Sequence, residues 1–165
     1  MKMDFLKKLV PPGMEYKPEL KFYITGLVFS GLYSLSFFIR YFDARYALYD
    51  HYDYKSVLID GVKIADFSSI LGSALVGFGL LAVCMLGFIV YHYLYYRQGS
   101  KSIYLMKRLP GKLELHKRAI ALPLLAILGC LVMALTIMLI YFAIYILATP
   151  KQCLLPNQWQ KLWRL

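Results

Sequence analysis

Two long stretches without a single Asp, Glu, Lys or Arg, Phe67–Tyr96 and Ala119–Pro150, enclose a short basic island, Arg97–Arg118. The island reads RQGSKSIYLMKRLPGKLELHKR and carries seven Lys or Arg against one acid, Glu114. A helix needs about 20 apolar residues to cross the hydrocarbon core of a bilayer, and Lys and Arg concentrate in the cytoplasmic loops beside such helices. The pattern predicts two membrane helices joined by a cytoplasmic loop.

A third apolar run, Phe22–Ile39, precedes them and is closed by Arg40. Apolar residues make up 60% of the 165 residues and charged residues 17%, and the apolar ones are bunched into these runs. The net charge of +10 would suit nucleic acid if the bases shared one folded face. They lie instead in the N-terminal tail and in 97–118, next to apolar runs, which is the positive-inside distribution with attraction to anionic lipid beside it. Nucleic acid is therefore not an expected partner. Three cysteines make no disulfide framework; Cys84 and Cys130 are expected to pack as small hydrophobes. Pro11-Pro12-Gly13 stands where a cleavable signal peptide would have its apolar core.

In chain order, 1–21 is a cytoplasmic segment whose first ten residues read either as a short amphipathic surface helix or as a basic tail. Transmembrane helix 1 is expected over 22–42. An extracellular loop follows over 43–66, with five acids against three bases and with Tyr46, Tyr49, Tyr52 and Tyr54. Within it, Val57–Ile64 is expected to be a hairpin about Asp60-Gly61. The acids and His51 fit none of the usual ligand spacings, so no metal is expected. Transmembrane helix 2 is expected over 67–96, about 45 Å as one helix, hence tilted, kinked or protruding. Ser69, Ser73 and Gly77 recur every fourth residue on it, a small-residue stripe expected to pack a partner helix closely. Transmembrane helix 3 is expected over 119–149, with Pro123 in its first turns, and 150–165 is an extracellular interfacial tail with Trp159 and Trp163.

Inside 97–118, Gly99-Ser100 caps a short helix over Lys101–Leu109, which Pro110-Gly111 ends. Ile103, Met106 and Leu109 recur on one side; Lys101, Tyr104, Lys107 and Arg108 cover much of the rest. From the pattern alone this is either a loop that fixes topology or a handle whose apolar side docks a soluble partner. No nucleophile, base or metal set is in evidence, so an enzyme is not expected. With no acid or base inside the apolar runs apart from Arg40, a proton- or ion-coupled transporter acting alone is not expected either.

The run GSKSIYLMKRLPGKLELHKRAI resembles the coupling-helix segment of ABC-2-type transporter permeases, in which a Leu-rich short helix ends in a Leu-Pro or Thr-Pro step before a Glu-Leu-x-x-x-Lys stretch. Here the matching elements are Leu105, Leu109-Pro110, Gly111-Lys112, Glu114-Leu115 and Lys117. The resemblance implies an all-α membrane protein with three transmembrane helices and a short cytoplasmic coupling-type helix between the second and third. It implies docking of a cytoplasmic ABC ATPase subunit on Ser100, Lys101, Ile103, Tyr104, Met106, Lys107, Arg108, Leu109 and Pro110. ATP and Mg would sit on that partner, with no cofactor in this chain. Such permeases usually have six spans, so this half-size chain implies a further membrane subunit or a homo-oligomer. The implied place is the plasma membrane, with the N-terminus cytoplasmic and the C-terminus extracellular. The alternative is an accessory or sensory membrane protein whose outer Tyr/Asp loop binds a ligand or partner.

Overall fold

The computed structural model describes residues 16–52, 55–59, 61–97, 112–154 and 156. The segment 1–15, the whole of 98–111, where a coupling-type helix and the ATPase-docking residues are expected, and Trp159 and Trp163 lie outside the described residues. The elements are α1 (Tyr16–Ser34), α2 (Ser36–Tyr46), β1 (Tyr49–Tyr52), β2 (Lys55–Leu58), α3 (Phe67–Leu71), α4 (Val76–Arg97) and α5 (Lys112–Ala148). The chain is mostly helical. Three helical stretches, Lys17–Tyr46, Val76–Leu94 and Ile120–Ala148, are long and apolar enough to cross a membrane, which marks a multi-pass membrane protein.

The chain divides into two compact units. The first combines α1 as far as Ser30, α4 from Phe78, and α5 as far as Met133. Its core is small: Leu81, Met85, Ala126 and Cys130, with Tyr23, Leu27, Phe88 and Ile127 against them. Glycines allow the close approaches. A Cβ on Gly26 would collide with Leu81, and one on Gly129 with the Tyr23 hydroxyl. The outward residues Val28, Leu80, Val83, Leu86, Val90, Leu124, Leu128 and Leu131 are apolar and exposed. A helix apolar all round is what a hydrocarbon solvent selects. Cys84 is on this outer surface too, and so does not pack inside the chain as expected; Cys130 does.

Two boundaries of this unit differ from the sequence reading. Helix α1 begins at Tyr16, so 16–21 is helix and not a lead-in. Pro18 does not prevent this, because first-turn N–H groups have no intrahelical acceptor anyway. Helix α5 begins at Lys112, which puts Pro123 at its twelfth residue, well beyond the first turns. Apolar packing overrides the lost N–H there: Pro123 is fully buried.

The second unit holds Gly31–Gly77 and Ala134–Leu165. At the Ser34–Ser36 junction the backbone tightens to three-residue bonds, Leu35 N–H to Leu32 O at 3.2 Å and Phe38 N–H to Leu35 O at 2.9 Å. The Ser34 hydroxyl donates to Gly31 O at 2.7 Å. Such back-bonding competes with the helix ladder and bends it. The core that follows is aromatic: Phe37, Tyr41, Phe67, Tyr141 and Tyr145 with Leu48, Ile64, Ile70, Ala74 and Cys153. Its tyrosine hydroxyls are all paired, Tyr141 with Ser34 Oγ at 2.9 Å, Tyr41 with Thr149 Oγ1 at 3.2 Å, and Tyr145 donating to Ala65 O at 3.0 Å. Buried tyrosine needs this, since an unpaired hydroxyl costs about 1–3 kcal/mol.

The hairpin expected over Val57–Ile64 does not form; a different one precedes it. Tyr49–Tyr52 pairs antiparallel with Lys55–Leu58, in the register Tyr49 with Leu58. Gly61 (φ 87°) instead serves a separate turn closed by Val62 N–H to Ile59 O at 3.4 Å, the positive-φ role that Asp-Gly signals. Ile64 cannot return to pair with Val57, because its side chain is buried and its N–H donates to Cys153 O at 3.0 Å. Within the C-terminal tail, Cys153 is thus buried in this core and Leu154 packs partly against it.

The thirty-residue helix expected over 67–96 is interrupted. Helix α3 ends at Gly72, whose φ of 45° suits glycine and whose N–H bonds Ser68 O at 3.0 Å. A turn over 72–75 leads to α4. The excess length expected of one helix is thereby relieved.

Candidate functional site

Among the described residues the first unit contains a buried ionisable pair. Glu19 Oε2 lies 3.3 Å from His92 Nε2, with both side chains almost wholly enclosed (7% and 3% exposed). Helical geometry produces the encounter. Lys17 and Lys21, four apart, share one face of α1 and are exposed, whereas Glu19 lies about 200° round the helix from each. That puts it on the face of Tyr23 and Gly26, turned to the core. On α4, Leu81, Met85, Phe88 and His92 step along the buried face at intervals of three and four.

The second carboxylate oxygen, Glu19 Oε1, is buried without a hydrogen-bond partner. Beside it is a cavity of about 70 Å³ lined by Leu20, Tyr23, Met85, Leu122, Leu125 and Ala126. The contact between carboxylate and imidazole fixes the start of α1 to the end of α4. Removing His92 takes from the buried Glu19 carboxylate the polar contact described for it, which costs about 3–5 kcal/mol.

A second polar cluster lies in the second unit. Arg40 Nη2 donates to Ser73 Oγ at 3.0 Å, and Tyr33 OH shares Ser73 Oγ at 3.3 Å. The guanidinium rests on Gly72, where a Cβ would collide with Nη1.

Of the residues singled out from sequence for helix packing, Ser69 is on α3, Ser73 in the turn and Gly77 on α4. A four-residue repeat shares a face only on an unbroken helix, so this stripe is divided among elements. The close approaches inside the chain use Gly26, Gly129 and Gly72. The Glu19–His92 pair is not foreseen from the sequence, where the first membrane helix is expected to start at 22; the available signal is the alternation of Lys17, Glu19 and Lys21 against helical spacing. No group of three or more His, Cys, Asp or Glu suited to a metal ion occurs among the described residues. Comparison of the chain with protein-family models, curated proteins and solved structures gives no match.

Proposed function

We propose that this chain is a non-catalytic membrane subunit of an ATP-driven ABC transporter, an exporter, working in the plasma membrane with a separate cytoplasmic ATPase and a further membrane chain or a second copy. The observation that carries the reading is the bracketing of the basic segment: α4 ends at Arg97 and α5 begins at Lys112, and both contain stretches fit to cross a membrane. A loop of this length between two such helices transmits a push to both. Ile103, Met106 and Leu109 supply an apolar docking side, with Lys101, Lys107 and Arg108 as polar flanks. The N-terminus is then cytoplasmic and the C-terminus extracellular, with ATP and Mg on the partner.

Glu19–His92 supports the same reading from inside the chain. His92 is five residues before the end of α4 at Arg97, so a pull on the loop reaches α1 through this pair. The buried pair also removes the ground for setting aside a proton-coupled mechanism, since the apolar stretches are not free of buried ionisable groups. A second reading, an accessory or sensory protein, is favoured by one observation: Tyr49–Tyr52 and Lys55–Leu58 pair as a hairpin, and Leu48 and Ile64 on either side of it are buried in an aromatic core.

Copurification from membranes tests the two. The transporter reading expects a nucleotide-hydrolysing subunit to accompany the chain and to be lost in Met106→Asp and Leu109→Asp. Capture of a partner through the 43–66 loop alone, with no ATPase, establishes the second reading instead.

A further inference from the structure

We propose that Arg40, Ser73 and Tyr33 form a binding site for the phosphate of a membrane-lipid headgroup. Arg40 lies within Lys17–Tyr46, a stretch apolar enough to cross a membrane. Among the described residues no carboxylate forms an ion pair with it; its polar contact is the single bond from Nη2 to Ser73 Oγ. A guanidinium has five N–H donors in a planar fork, so most of its donors stay unfilled while its charge stays uncompensated. Intramembrane arginine normally finds an opposite charge or a cluster of carbonyls.

The side chain is nevertheless held. Gly72 leaves room for Nη1, and Ser73 Oγ binds Nη2 and shares a hydrogen with Tyr33 OH. The two hydroxyls and the fork form one exposed cluster of donors, matched in geometry to the oxygens of a phosphate, which Arg binds bidentately. The surroundings decide the source. The stretch that carries Arg40 exposes Leu32, Leu35, Ile39 and Phe42, and Val76 begins the helix that follows Ser73. A phosphodiester carried on acyl chains can cover such apolar side chains with its own tails, which a free anion cannot. Lysine and arginine at helix ends commonly seek the headgroup layer; here the fork is pre-positioned by a glycine cradle and two hydroxyls.

The test uses the full chain, delipidated in a maltoside detergent and titrated with phosphatidylglycerol, with bound lipid counted by native mass spectrometry. Diacylglycerol, which lacks the phosphate, and inorganic phosphate are run in parallel. The expected result is that wild type retains one more phosphatidylglycerol than Arg40→Gln, with affinity for that lipid falling about tenfold, as loss of a charge-assisted bidentate contact implies. Arg40→Lys falls between, and Ser73→Ala and Tyr33→Phe each weaken binding by a few-fold. Lys151→Gln, an exposed cation of the same unit, leaves the count unchanged. Diacylglycerol does not bind at the site. The proposal is overturned if Arg40→Gln keeps the same lipid count and affinity, or if millimolar inorganic phosphate displaces the lipid, which makes the site one for free phosphate. Should Arg40→Gln fail to fold, the Ser73→Ala and Tyr33→Phe pair decides: unchanged affinity in both overturns the site.

Discussion

The ring of Phe37 stacks on that of Tyr141 at a centroid distance of 4.4 Å with the planes 4° apart, and Tyr141 reaches past the stack to bond Ser34 Oγ at 2.9 Å. Apolar area and a satisfied hydroxyl are thus combined at one contact, and the two contributions separate by mutation. Tyr141→Phe keeps the stack and removes the bond, so it is expected to cost about 1 kcal/mol. Phe37→Ala removes the fully buried centre of the aromatic core and is expected to cost about 3–5 kcal/mol. Unfolding in detergent, followed by tyrosine and tryptophan fluorescence, measures both. Equal costs would mean that the hydroxyl contributes as much as the ring.

Glu19 and His92 are expected to be strongly coupled. His92→Leu takes from the buried Glu19 carboxylate its described polar contact and should destabilise by about 3–5 kcal/mol, Glu19→Leu should destabilise as well, and the double substitution should cost well below the sum of the two, because an apolar pair of similar volume is tolerated in a buried site. A double-mutant cycle from detergent unfolding gives the coupling directly, and additive single effects would show that the contact is incidental.

Much of the fold is legible in the sequence because a bilayer imposes long charge-free runs, and 67–96 and 119–150 are plain on the page. Boundaries are less so. Charge makes Lys17, Glu19 and Lys21 look like one polar segment, and only the helical angle between them separates an inward acid from two outward bases. The Asp60-Gly61 turn is readable from residue type, yet the strands are not: Val57 pairs with Asp50, and the Ile64 N–H goes to Cys153 O. Nor does composition reveal that Ser69, Ser73 and Gly77 are divided by a break at Gly72. The buried pair is a meeting of α1 with α4, and such meetings are set by packing that no local pattern encodes.

The free thiol of Cys153 is expected to resist labelling. It is buried at 2% exposure, and its neighbouring backbone accepts the Ile64 N–H. In the Cys84→Ser, Cys130→Ser background, a water-soluble maleimide should modify Cys153 only after denaturation. Prompt modification of the native protein would mean that residues 150–154 do not close this core.

The glycines of α1 and α4 should respond in opposite directions. A Cβ at Gly26 meets Leu81, so Gly26→Val overfills the contact and is expected to cost about 1–3 kcal/mol. Gly87 is exposed on α4 with nothing within 4 Å of a Cβ, so Gly87→Ala should raise the stability of the isolated chain by about 0.5–1 kcal/mol through helix propensity alone. The second substitution also probes the assembly. If α4 packs a partner helix at Gly87, the alanine that stabilises the isolated chain should weaken recovery of the partner on copurification. If recovery is unchanged, the Gly87 surface faces lipid and the partner helix docks elsewhere.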